Sequence, residues 1–273
     1  MAESPPRIYC IPATDAPIVA VFRRGPSRWS HVGRWDLESG LYEPGAWLAG
    51  RIFPRRSDLS PDGRFLCYFA HKPNARWEEG VAYVAISRLP WLTALHAFGT
   101  CGTWTRGYHF GERPGTAELE EALPIPYGLH STAPIQFACE RRRGWEEAPG
   151  GPPRVEGDHW DQRRNARVQK PQPGGDRMLC VESVGSAGGE FGVEQAVDGL
   201  RVRYSLESDG DLELLEDVQW ADWDREGRLL TATRSGRLEK RSPRSGGHEV
   251  VFDLDLAALT PEATPAPASA GRW

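Results

Sequence analysis

The sequence has no close pair of cysteines, no long apolar run and hardly any lysine, and each absence removes a class of function. Its five cysteines (Cys10, Cys67, Cys101, Cys139, Cys180) are odd in number, widely spaced and free of any CxxC pair, so neither a disulfide framework nor a cysteine zinc site is written into it. No apolar stretch approaches the ~20 residues that cross a bilayer, and the polar Met1–Arg7 lacks the apolar segment of roughly 7–15 residues that a secretory signal needs. A soluble chain in a reducing cytoplasm is the expectation. Of the 33 Lys and Arg residues only Lys72, Lys170 and Lys240 are lysine. A GC-rich genome gives such a bias before any function does, so arginine clusters count for less as phosphate sites. With 38 acidic residues and a net charge of −5 there is no dense basic face for nucleic acid. Phosphate-loop and dinucleotide glycine motifs are missing, as is the Gly-x-Ser-x-Gly nucleophile turn, and no cofactor is expected.

Glycine and proline are plentiful instead. Thirty glycines and 23 prolines punctuate short segments rich in Val, Ile, Leu, Phe, Tyr and Trp, which is how strands read. Asp58-Leu59-Ser60-Pro61-Asp62-Gly63-Arg64 followed by Phe65–Phe69 predicts a hairpin around a Pro-Asp-Gly turn. A second copy runs from Trp220 to Thr231 and a looser third from Tyr204 to Leu214, where apolar residues alternate with a period of two. His31–Gly40 reads as a strand ending in an aromatic-Asp pair and a tight turn, with a late counterpart in Ser235–Arg241 and Val250–Leu254. Gly63 and Gly227 lie about four units of ~40–45 residues apart, the spacing of propeller blades.

The Asp-x-Ser-Pro-Asp-Gly-Arg run with its apolar strand resembles the blade signature of TolB-like and prolyl-oligopeptidase-type β-propellers, and Trp35-Asp36-Leu37-Glu38-Ser39-Gly40 resembles the outer-strand ending of WD-repeat blades. These motifs cover about a third of the chain, and the resemblance implies an architecture alone, because propellers host many functions. The fold expected is all-β and propeller-like, with four or five blades of antiparallel strands in a single domain over 1–259. Two regions do not read as blades. Arg141–Gly175 is expected to be a long insertion loop, and residues 260–273 a Pro/Ala-rich tail that forms no core. Helix is scarce: Thr116–Leu123 makes about two turns, and Leu89–Phe98 reads as a short helix or a buried strand.

The seven histidines show no ligand spacing, and no metal site is expected. Asp158-His159-Trp160-Asp161 is the nearest local constellation, although such a polar loop is more often a solvated turn. The segment Gly99–Phe110 gathers three glycines with Trp104, Arg106, Tyr108 and His109, the groups of a ligand site or of a plain hairpin with alternating aromatics. Cys101 lacks an assignable histidine partner. Arg55 and Arg56 precede the best blade motif and suit an anionic ligand, unless Arg56 pairs with Asp58.

Eleven tryptophans are the one compositional excess. Most should pack between blades, but Trp145, Trp160 and Trp273 fall where no core is evident. With Arg163 and Arg164, Trp145 and Trp160 suggest a docking element. The leading expectation is therefore a noncatalytic module that binds a protein or peptide partner through loops and the 141–175 insertion. The alternative is a hydrolase or lyase whose groups, with His109, Asp158 and His159 as candidates, meet from separate blades. Carbohydrate recognition by surface tryptophans is a third reading.

Overall fold

The computed structural model describes residues 5–25, 28–72, 81–100, 102, 107–115, 123–132, 135–150, 166–186, 200–244, 247–262 and 265–273. The fold is all-β and propeller-like, made of five antiparallel sheets that follow one another along the chain. The first comprises β1 (Arg7–Pro12), β2 (Ile18–Arg24), β3 (Trp29–Asp36) and β4 (Tyr42–Ala49) in sequence order. In the second, β5 (Arg51–Ile52) and β6 (Asp58–Leu59) both pair with β7 (Phe65–His71), which is followed by β8 (Ala82–Arg88) and β9 (Ala94–Gly99). A two-stranded ribbon, β10 (Tyr108–Gly111) and β11 (Gly128–Ser131), is the third. The fourth runs β12 (Glu146–Glu147), β13 (Arg167–Pro171), β14 (Met178–Ser186), β15 (Leu200–Ser208), β16 (Asp211–Leu214). The fifth is β17 (Val218–Trp223), β18 (Leu229–Thr233), β19 (Arg237–Arg244) and β20 (Gly247–Asp255).

The chain divides into two compact units, Met1–Tyr9 with Pro134–Leu259, and Cys10–Ala133 with Thr260–Trp273. The core of the first gathers Trp145, Val168, Leu179, Val181, Tyr204, Trp223 and Leu229. Here too the N-terminal segment meets β17 through a side chain: Gln219 accepts the Ile8 N–H and donates to the Pro6 and Thr233 carbonyls. The core of the second gathers Phe53, Phe65, Cys67, Phe69, Val84, Ile86, Phe110 and Leu129.

The predicted hairpins form, each held by a polar side chain at its turn. Ser60 Oγ accepts the Phe65 N–H at 2.8 Å and donates to Asp62 Oδ1, while Gly63 at φ +72° donates back to the Ser60 carbonyl. In the later copy Asp224 Oδ1 accepts from the Glu226 and Arg228 N–H groups, and Gly227 has the same φ of +72°. Asp209-Gly210 turns β15 into β16. Between β5 and β6 a 3-10 turn at Pro54–Arg56 bends what would be one strand.

Three expectations change in detail. Trp145 is not an exposed loop residue: at 3% exposure it fills the first unit's core. The reason is that Glu146–Glu147 pair with Val168 and Gln169, so both flanks of the expected 141–175 loop belong to a sheet, and only 151–165 lie outside the described residues. Of Leu89–Phe98 only the part from Ala94 on is strand, β9, and its residues are half-buried or exposed. The stretch 260–273 makes a 3-10 turn at Ala268–Gly271 against β8, with Ala270 at 1% exposure and the Arg272 carbonyl accepting from Arg88 Nε. The predicted helix at 116–123 falls almost entirely outside the described residues.

The first sheet buries an unusual polar row. His31 lies opposite Arg23 on β2 and Trp47 on β4, at 1% exposure. Burial, reinforced by the Arg23 charge and opposed by the Gly45 backbone, lowers its pKa from 6.5 to about 4. The unfolded chain therefore takes up a proton that the folded chain refuses. Stability is full above the unfolded pKa of 6.5 and falls as pH drops toward 4, by about 2 kcal/mol between pH 7 and 5. Urea unfolding at the two pH values should give this slope, and His31→Gln should flatten it. A second prediction concerns the turns. A Cβ on Gly227 would come within 2.4 Å of the Pro173 carbonyl oxygen, whereas one on Gly210, at φ +90°, meets nothing within 4 Å. Gly210→Ala should cost about 1 kcal/mol for its backbone alone and Gly227→Ala roughly 3 kcal/mol, read by the same unfolding curves.

Candidate active site

The β10–β11 ribbon places two histidines face to face. Register pairs His109 with His130, Phe110 with Leu129 and Gly111 with Gly128. Side chains alternate across a strand, so Phe110 and Leu129 enter the second unit's core while the two half-buried imidazoles stack on the other face, 5.6 Å between ring centroids. Behind them the Phe110 N–H donates to Asp58 Oδ2 at 2.9 Å, from a carboxylate only 3% exposed. Gly107, at φ +80°, lies so close to the 3-10 turn that a Cβ would come within 2.0 Å of the Arg56 carbonyl oxygen. Only glycine fits there.

The imidazoles are held differently. His130 Nε2 is 2.7 Å from the Glu112 carbonyl oxygen. A carbonyl only accepts, so Nε2 carries the proton and the neutral ring offers its lone pair at Nδ1. Gly111 makes this possible, because a Cβ there would be 2.7 Å from His130 Cδ2. His109 Nδ1 lies 3.5 Å from Thr132 Oγ1, a long contact, and the Thr132 N–H donates to the Gly107 carbonyl. Arg113 ties down the connection between the strands by donating to the Leu123 and Ile125 carbonyls at 2.6 and 2.5 Å. The arrangement is a pair of strand-mounted imidazoles, one with a defined tautomer, which can accept and return protons. Among the described residues no three His, Cys, Asp or Glu side chains converge as a metal site.

Of the residues singled out from sequence, His109 is in this site and Arg55 and Arg56 flank it. Arg56 places its guanidinium over the Phe53 and Phe69 rings, at 5.0 and 5.7 Å, as a packing element. Arg141 is engaged with Glu147 and the Gln136 carbonyl, and Arg142 and Arg143 with Cys139. Cys101, Trp104, Arg106, Asp158, His159, Trp160 and Arg163 lie outside the described residues. His130 escapes sequence reasoning, yet a signal exists. Tyr-His-Phe-Gly and Gly-Leu-His-Ser mirror each other, so pairing glycine with glycine in an antiparallel ribbon sets histidine opposite histidine.

No family model matches the chain, and no curated protein does. Solved structures do resemble it distantly. A Bacteroides fragilis protein assigned as a 6-phosphogluconolactonase is 11% identical, with 92% of this chain and 95% of that one covered and a TM-score of 0.37. The periplasmic gluconolactonase of Pseudomonas aeruginosa is 14% identical over 92% and 86%, with a TM-score of 0.27. Hydrazine synthase of Kuenenia stuttgartiensis is 12% identical over 88% and 77%, with a TM-score of 0.32. Likeness at this distance transfers neither substrate nor mechanism, and no family finding supports TolB-like or WD-repeat membership. These three chains are named for enzymes and none for a scaffold, and the expectation of a noncatalytic docking module does not stand. Trp145, one of the aromatics on which that expectation rested, is a core residue. No helix among the described residues is long and apolar enough to cross a membrane.

The glycine beneath His130 gives a local test. Gly111→Ala should leave the fold intact, swing the imidazole away and break its bond to the Glu112 carbonyl. Imidazole 15N spectra should then lose the single Nε2–H tautomer of His130, while an unchanged spectrum would mean that Gly111 does not set the ring.

Proposed function

We propose that the chain is a hydrolase in which His130 acts as general base on water and His109 as the acid that serves the leaving group. The observation that carries this reading is the 2.7 Å contact from His130 Nε2 to the Glu112 carbonyl, which leaves Nδ1 as the basic nitrogen. Water transfers a proton to Nδ1 as its oxygen adds to an ester-type carbonyl carbon. The tetrahedral intermediate then expels an alkoxide, which takes a proton from an imidazolium of the stacked pair. Hydrolysis is preferred to a lyase reaction because half-buried rings keep water at hand, whereas removing a proton from carbon favours a drier base. A cytoplasmic setting fits the free, buried thiols of Cys10, Cys67, Cys139 and Cys180.

The test is hydrolysis of p-nitrophenyl acetate by the full chain, compared with His130→Gln and His109→Gln. Loss of a general base costs about 10²- to 10⁴-fold, and each variant should fall in that range with its unfolding midpoint unchanged. Equal rates in wild type and variants would remove the proposal, since stray surface imidazoles would then account for the turnover.

A further inference from the structure

The last strands of the four larger sheets are β4, β9, β16 and β20, and each has a ladder partner on one side only. Three of them are irregular against that partner: the register of β4 shifts at His31–Gly33, that of β9 at Ile86–Ser87 and that of β20 at Lys240–Arg241. Such irregularities bend an edge away from further pairing. The last strand of the fourth sheet has none. The ladder of β16 with β15 runs unbroken from the Ser208–Asp211 pair to the Ser205–Leu214 pair. All four residues of β16 are exposed, Leu212 at 59% and Leu214 at 45% among them.

The phase of the ladder decides what this edge offers. Leu215 donates its N–H to the Tyr204 carbonyl, and residue pairs along an antiparallel ladder are bonded and unbonded in turn. Asp211 and Glu213 therefore turn their backbone toward β15, while Leu212 and Leu214 turn theirs outward, where neither finds a partner among the described residues. Side chains alternate as well, so the two leucines share one face and the two carboxylates the other. The surrounding charge has one sign. Residues 204–224 hold eight Asp and Glu and no Lys or Arg. Asp209, Asp211, Glu213, Glu216 and Asp217 are exposed and make no ion pair among the described residues. The cations on the strands of this sheet are engaged elsewhere: Arg167 with Glu207, Arg203 with Glu182 and Lys170 with Asp222, while Arg201 lies opposite Gly185 at the far end of β15.

We propose that β16 is a docking edge to which an extended basic segment of another protein adds as a further strand. Main-chain bonds to Leu212 and Leu214 supply the attachment, and side chains select the sequence. The segment carries an apolar residue opposite each leucine and Lys or Arg at the alternating positions, which face Asp211 and Glu213. A second copy of this chain does not fit: in the antiparallel register that aligns both leucines, Glu213 meets the partner's Glu213, and like charges directly opposite are destabilising. Nucleic acid and anionic membrane are repelled by the same carboxylates. The edge uses no residue of the histidine pair and none of the 141–175 segment, so it stands whether or not the chain is a hydrolase.

The test is fluorescence polarisation of a short labelled peptide in which lysine and valine alternate, titrated with the full chain. Binding should saturate, be absent for the peptide in which glutamate replaces lysine, and be lost when the valines, whose backbone faces the edge, are N-methylated. Leu212→Pro removes an outward N–H without touching a bond to β15, a change that edge strands tolerate, and should abolish binding at an unchanged unfolding midpoint. Asp211→Asn combined with Glu213→Gln should weaken it about tenfold. No binding of the lysine peptide overturns the proposal. Equal binding of the N-methylated peptide, or of wild type and Leu212→Pro, means that charge alone holds the peptide and overturns the added strand. Should Leu212→Pro fail to fold, the N-methylated peptide decides on the wild-type chain. A chain that dimerises in sedimentation and then refuses the peptide overturns the choice of occupant.

Discussion

The candidate site depends on one hydrogen bond, from the Phe110 N–H to the buried carboxylate of Asp58. Two strands of four residues cannot stand alone in water, so the β10–β11 ribbon exists only as far as something outside it holds it. Phe110 and Leu129 supply apolar burial, which fixes which face points inward but not where along the core the ribbon sits. Asp58 supplies the position. A carboxylate at 3% exposure is costly unless its oxygens are bonded, and one bond it accepts comes from the Phe110 N–H, next to His109. Carboxylate and ribbon thus require each other, and with Gly107 seated against the Arg56 carbonyl the ribbon has no freedom to slide.

The same economy of polar groups recurs at the hairpins. Ser60 and Asp224 each satisfy several backbone donors from one side chain, so that the strand following the turn begins in register. Around the Asp224 turn a charge network extends the pattern. Arg228 bonds Asp224 and Glu226, and the nearby Asp222 accepts from Lys170 at 2.7 Å and from the Trp223 N–H. Trp223 returns a bond from its indole to the Lys170 carbonyl. Asp222 is nearly buried, so its pairing with Lys170 removes a cost more than it adds stability. Such networks fix how neighbouring strands meet, while area burial in the Trp223 and Leu229 core supplies most of the driving force.

What the sequence makes legible follows from the range of the forces involved. The Ser60–Gly63 and Asp224–Gly227 turns are decided within five residues by glycine's access to positive φ and by short polar side chains, so composition alone reveals them. The all-β class follows, since such turns alternate with strands as fully buried as β7 and β8. Trp145 shows where this reading stops. Its neighbours in sequence are polar, but the pairing of β12 with β13, twenty residues away, folds it into a core that no local window contains. His130 was hidden for the same reason, as its importance arises only when β11 lies against β10. Arg56 was legible as a cation, but its seat over two phenyl rings, one from β7 and one from the preceding bend, was not.

The contrast between His31 and His130 shows how far function exceeds residue type. Both stand mid-strand in antiparallel pairs, and both face an aromatic or imidazole ring across the ladder. His130 has water on one side and a carbonyl on the other, so its tautomer is chosen by a neutral acceptor and its remaining nitrogen is a base whatever ligand is present. His31 has neither. Its ring is neutral because burial and Arg23 penalise the charged form more than the Gly45 backbone favours it. A preset tautomer suits a group that must hand a proton in one direction at every turnover. Of the two rings only His130 has solvent beside it to deliver and remove that proton, so exposure, more than residue type, separates a base from a buried ring.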